Sequence, residues 1–370
     1  MSAARRDLAA ALPGWIVARV VVLGALVLAH VVAAKVNTHV PGFSGRVQRG
    51  LLSWDARWYW DVAHRGYAAL PDEALRFFPL YPLAAKALSP AFAGHTGPAL
   101  LVISNLAALV LGALVHRLCL METSDEPLAR RAAWLVALVP PMFVMVMGYS
   151  EPVALALSVA CFMALRRQRW GWAALAGLAA GLTRPVGILL AVPAAIEGAR
   201  GLRAEGGRQR ITRAMAVVAP LVGTGSFLVW VGARFGDALL PLHVQNRAYL
   251  RGGFVDPVSS VWRSTAHLLD GDGGLNAMHL PWIAMVVLLT VVACRRWPGS
   301  YGAYAVASLA LALSAANLGS FERYGFGGFP VILALASLTA RPWAERAALT
   351  LAAATMAAYA MLAFLLYYVP

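Results

Sequence analysis

Apolar runs of helix-spanning length recur along this chain from end to end, and they restrict its fold before any other feature does. About 20 consecutive apolar residues cross a bilayer as a helix, which satisfies its own backbone polar groups where no water can. The strict apolar/polar alternation of an outer-membrane barrel is absent, so the spanning elements read as helices and the fold class as all-α. Hydrophobic residues make up 60% of the 370 and charged residues 13%, too little polar surface to cover a soluble globule of this size. Spans are read near 14–34, 98–119, 131–149, 151–166, 171–184, 186–199, 214–235, 279–294, 302–318, 326–341 and 345–368. Short loops join them, so residues 1–370 read as one bundle without a separate soluble domain. The first run is too long for a signal-peptide core, and no small-residue cleavage pattern follows it, so it reads as a retained span.

The net charge of +14 invites a nucleic-acid partner, and topology removes that reading. Arg5 and Arg6 precede the first span, which places Met1 in the cytoplasm by the positive-inside rule. Following the spans from there, the basic loops "RRQRW" and "ARGLRAEGGRQR", with Arg130, Arg131, Arg295 and Arg296, fall on the same side. The basicity is thus a topology and headgroup signal, and membrane lipids are the expected partner. Residues 35–97 and 236–278 become long outer loops. Within the first, "FFPLYPLAAKALSPAF" (77–92) is short, proline-flanked and carries Lys86, so it reads as a juxtamembrane or re-entrant helix. Gly177 and Gly181 have the small-xxx-small spacing of closely approaching helices, or serve ordinary packing. Cys119, Cys161 and Cys294 suit neither a disulfide framework nor a metal site, and no acidic pair or His/Cys cluster marks one, so neither metal nor cofactor is expected.

The remaining polar residues gather in five motifs, all on the outer side of that topology. They are "WDARWYWD" (54–61), "RFFPLYP" (76–82), "GYSEP" (148–152), "LTRPVG" (182–187) and "SFERYGFGGFP" (320–330). Ionisable residues at a membrane edge are costly unless they meet a partner, a cavity or a ligand, and one outward polar cavity accounts for all five. In this order and spacing the motifs resemble the PIG-V-like mannosyltransferase family, bacterial relatives of the GPI mannosyltransferases, within the GT-C glycosyltransferase superfamily. The resemblance runs from Trp54 to Pro330. It departs at Ala56, where many relatives have glycine, and in the loop 236–278, which matches no known pattern of the family.

The resemblance implies a GT-C-like bundle of about eleven spans that transfers a sugar, mannose above all, with inversion from a polyprenyl-phosphate donor to a lipid-linked or cell-envelope acceptor. It places the active site on the outer face of the membrane and the catalytic acid at Asp55. Ala- and Arg-rich, Lys-poor usage fits a high-GC bacterium, hence its cytoplasmic membrane. From the residues themselves, Trp54 and Trp58 would partly desolvate Asp55, and a desolvated carboxylate is a stronger base. The competing role is an N-cap, from Ser53 or Asp55, for a helix running through Tyr59 and Val62. Asp61, about 240° round that helix from Asp55, and His64 read as acceptor contacts or as a structural pair. Arg323 and Arg184 suit phosphate through their forked donors, or are neutralised by Glu322 and Glu151. Glu151 also suits a helix N-terminus. Tyr59, Tyr81, Glu151, Glu322 and Tyr324 complete the substrate-binding set, while the tryptophans either anchor the loop at headgroup level or stack on sugar. Transfer of another sugar, a transporter of envelope glycolipids and a non-catalytic membrane partner are the alternatives; ionisable residues at the bilayer midplane and repeated halves, which a transporter requires, are not seen.

Overall fold

The computed structural model describes residues 2–35, 47–200, 206–269, 279–365, 368 and 370. Parts of both long loops (36–46 and 270–278), together with Arg203 and Glu205 of the basic loop, lie outside the described residues. Among the described residues the chain is helical and holds no strand, with an isolated bridge between Phe254 and Ala315. In chain order the helices are α1 (Ala3–Lys35), α2 (Asp55–Arg65), α3 (Leu80–Leu88), α4 (Thr96–Thr123), α5 (Glu126–Leu138), α6 (Glu151–Arg166), α7 (Trp170–Thr183) and α8 (Ala191–Ala199). They continue as α9 (Gly207–Phe235), α10 (Leu240–Gln245), α11 (Pro257–Leu269), α12 (Leu280–Arg296), α13 (Gly299–Leu313), α14 (Phe321–Phe326), α15 (Pro330–Leu338) and α16 (Pro342–Phe364).

Four of these, α1, α4, α9 and α16, are long and apolar enough to cross a membrane, with lengths of 33, 28, 29 and 23 residues. At 1.5 Å per residue even α16 reaches about 35 Å, beyond the roughly 30 Å of a hydrocarbon core. The other expected spans are shorter or interrupted, and proline is the usual cause because it lacks the N–H that continues a helix. The segment 131–149 holds the end of α5 and then a 3-10 stretch, Pro140–Met145. The segment 186–199 likewise opens in a 3-10 stretch, Pro185–Leu190, before α8. Residues 77–92 hold the nine-residue α3 and a 3-10 turn, Ser89–Phe92. Such a helix covers only about 14 Å and cannot cross by itself.

The chain divides into two compact units. The first comprises Met1–Gly66, Tyr81–Ala156 and Leu335–Pro370. Here α1 packs on α4, α5 and α16. Small residues set the spacing: a methyl added at Gly112 of α4 would stand 2.9 Å from the Ala11 methyl of α1. Near one end of this packing Asp7 is buried, and a buried carboxylate needs partners. It receives Arg117 at 2.6 Å and His116 Nδ1 at 2.8 Å, while His116 Nε2 meets Glu126 at 3.0 Å.

The second unit comprises Tyr67–Leu80 and Leu157–Ala334. Its closest backbone approach is between α7 and α9. A methyl at Gly181 would fall 2.5 Å from the Pro220 carbonyl oxygen, and one at Gly223 would fall 2.2 Å from that of Leu178. The Gly177/Gly181 pair therefore does serve close packing, with α9 as its partner. Elsewhere in this unit Glu197 gathers Arg166, Arg200 and Ser300, and Phe162 packs among Tyr301, Tyr304 and Phe329.

Candidate functional site

The first unit assembles two of the five motifs and the tyrosine of a third. α2 is amphipathic: Ala56, Tyr59, Val62 and Ala63 are buried, while His64 and Arg65 are exposed. Neither Ser53 nor Asp55 caps it. Trp54 holds the N-cap position at φ 57°, ψ −131°, without a side-chain cap bond, and Ser53 donates instead to the Gly50 carbonyl at 2.7 Å. A non-glycine residue at such a φ costs of order 1–3 kcal/mol and persists only where its surroundings fix it. The fixing bonds are present. Trp54 Nε1 donates to the Ala363 carbonyl at 2.9 Å, Gly148 N–H donates to the Leu51 carbonyl at 3.0 Å, and the Asp55 N–H donates to the Tyr149 hydroxyl at 3.2 Å. Asp55 is thereby set in the first turn of α2, half-buried.

Around it, the Tyr59 hydroxyl meets the Ser150 hydroxyl at 2.5 Å, and the Tyr59 and Tyr81 rings pack edge to face at 5.0 Å. Tyr81 donates to the Leu100 carbonyl at 2.9 Å. Glu151 is buried in the first turn of α6, directly after Ser150. Gly148 makes the approach possible, because Ala56 and Leu52 pack where its side chain would be. So "WDARWYWD", "GYSEP" and the tyrosine of "RFFPLYP" form one cluster with Asp55 at its edge. Asp61 and His64 are not joined to each other: Asp61 is bonded by Arg57 at 2.6 Å, and His64 is exposed.

The second unit assembles the other two motifs. The guanidinium carbon of Arg323 lies 5.3 Å from the centroid of the Tyr324 ring, that of Arg184 lies 6.0 Å away, and that of Arg251 lies 4.6 Å away. Cations favour an aromatic face at about 6 Å or less. Three guanidinium groups thus lie within about 6 Å of one ring. Glu322 is fully buried and bonded to His279 Nδ1 at 2.7 Å. Arg251 is held by the Leu311 and Ala312 carbonyls at 3.0 and 3.3 Å, and its own backbone carbonyl accepts from the Asn317 N–H at 2.9 Å.

Arg251 and His279 are absent from the sequence-based site. Arg251 sits beside a turn at Gly252 and Gly253, both at positive φ, and that glycine pair is the one signal that marked it. His279 is a polar residue at the start of an apolar helix. The strap that carries Arg251 is latched at Glu73, which receives Arg247 and, at 2.8 Å, the Tyr249 hydroxyl. The Tyr249 bond, followed by Glu73's own backbone, holds this carboxyl below its ordinary value of 4.5. A lowered carboxylate pKa stabilises above the unfolded value and ceases to as pH falls through the folded one. A spin label at exposed Ala248 is therefore expected to gain mobility as pH drops below about 4.5, and to be mobile at every pH in Glu73→Gln. Unchanged mobility across that range would detach the strap's order from Glu73.

The fold and its polar clusters define a helical, membrane-embedded protein with an aromatic and acidic cluster in one unit and an arginine cluster in the other. Among the described residues no group of three or more His, Cys, Asp or Glu is placed to hold a metal. No protein-family model and no curated protein matches the chain.

Proposed function

We propose that this chain is a GT-C-like glycosyltransferase of the PIG-V type, with about eleven membrane-crossing segments. It moves a sugar, mannose by resemblance, from a polyprenyl-phosphate donor to a lipid-linked or cell-envelope acceptor at the outer face of a bacterial cytoplasmic membrane. The observation that carries the reading is the convergence of Arg184, Arg251 and Arg323 on Tyr324, which gives the leaving phosphate a set of forked donors. Asp55 is the base. The acceptor oxygen attacks the anomeric carbon from the face opposite the phosphate, and its proton passes to the Asp55 carboxylate. The bond from that carbon to the phosphate oxygen breaks with its electron pair leaving on the phosphate, where the arginines stabilise the developing charge. In this reading Tyr59, Tyr81 and Glu151 serve the sugar and acceptor, and Tyr324 serves the donor beside its arginines. Asp61 and His64 are left as acceptor contacts on the outer turns of α2.

The test is turnover. Membranes containing the protein are expected to transfer radiolabelled mannose from polyprenyl-phosphate mannose into a lipid-extractable product. Transfer only from a glucose or arabinofuranose donor would reassign the sugar, and transfer from none would sink the enzymatic reading. Orientation is checked by cysteines at two exposed positions: one at Ala69 reacts with an impermeant reagent outside intact cells, and one at Arg208 does not.

A further inference from the structure

Helix α11 buries two serines and turns large apolar residues outward, beside Ser259 and Arg263. Its buried residues include Ser260 and Ser264, whose hydroxyls are taken up by the Ala315 and Ser260 carbonyls at 3.0 Å each. Its outward residues include Val258, Trp262 and Leu269, at 79%, 70% and 80% exposure, with Phe254 just before it at 80%. Water would penalise such a face, whereas a lipid chain rewards it. Pro257, Val258, Val261, Trp262, Thr265 and Leu313 line an open apolar groove of about 380 Å³ on this side.

The groove is joined to the arginine cluster through adjacent residues. Leu313, in its wall, directly follows Leu311 and Ala312, whose carbonyls fix Arg251. The strap from Arg251 to Phe254 runs beside 315–317 and leads into Pro257, the first residue of the groove. An apolar trough thus begins within a few residues of three guanidinium groups gathered on one ring. A ligand that fits both ends has a hydrocarbon chain attached to a phosphate.

We infer that the groove on α11 and Leu313 seats the isoprenoid chain of a polyprenyl phosphate whose phosphate lies at Arg251, so that this outer-loop helix is the protein's lipid-tail site. The inference rests on the proposed donor class, but its test needs neither sugar nor turnover. Purified protein in nanodiscs is irradiated with a polyprenyl phosphate that carries a diazirine on an isoprene unit near the phosphate, and the labelled peptide is mapped. Label is expected on residues 257–265 or on Leu313, displaced by unlabelled polyprenyl phosphate and not by the same amount of phosphatidylglycerol. Val258→Asp, at a site exposed enough to leave folding intact, lowers the yield about tenfold or more, the worth of burying one apolar side chain. Label elsewhere overturns the inference. So does equal displacement by phosphatidylglycerol, which would make α11 an ordinary lipid boundary. If the label maps to the groove while no sugar is ever transferred, the enzymatic reading fails and the lipid site stands.

Discussion

Asp55→Asn is expected to abolish most sugar transfer while leaving the protein folded. The substitution is nearly isosteric. The contact that places residue 55 is made by its backbone N–H to Tyr149, so the side-chain change leaves it intact. Trp54, and not Asp55, occupies the N-cap position of α2. An amide cannot accept the acceptor's hydroxyl proton, and loss of a general base costs about 10²- to 10⁴-fold in rate. The measurement is kcat with saturating polyprenyl-phosphate mannose, alongside thermal unfolding in detergent. Near-normal turnover with an unchanged Tm would remove Asp55 as the base and move the search to Asp61 or Glu322.

The second large effect is expected at Arg323. Its side chain is 6% exposed and lies over the Tyr324 ring. Arg323→Lys keeps the charge and loses the planar fork that pairs two phosphate oxygens at once. Hydrogen bonds to a charged group contribute about 1.5–3 kcal/mol, so kcat/KM for the donor is expected to fall about 10- to 150-fold. The acceptor KM is expected to change little. If Arg323 is a structural element of α14 alone, the substitution shifts Tm and leaves donor kinetics as they were. The paired variant Arg251→Lys sharpens the distinction. Both substitutions weaken donor use under the phosphate reading, and their effects combine non-additively because the two guanidiniums share one ring and one ligand.

The all-helical character and the four long apolar helices were legible without any structure. Both follow from local properties: hydrophobicity summed over a window, and a backbone that must satisfy itself within one segment. The five motifs were legible as well, because a polar residue at the edge of an apolar run stands out against its neighbours. Their partners were not. Asp55 meets a tyrosine 94 residues away and Trp54 a carbonyl 309 residues away, and no spacing rule reaches that far. The spacing of Gly177 and Gly181 left close approach and ordinary packing both open, and the structure decides for close approach to α9, where Gly223 and Pro220 present the matching backbone.

What the sequence by itself determined is the class of element and the chemistry available at its ends: helices, tryptophans, carboxylates and arginines. What only the tertiary structure decided is which of these share an environment. It drew Arg251 out of an unreadable loop onto Tyr324, gave Glu322 to His279, paired Asp61 with Arg57, and put Trp54 at the N-cap position for which Ser53 and Asp55 were the alternatives. The reason is physical. Hydropathy and helix formation depend on the residues within a turn or two, whereas a guanidinium on a ring or a buried acid beside a histidine depends on close packing between distant segments, whose outcome no single segment contains.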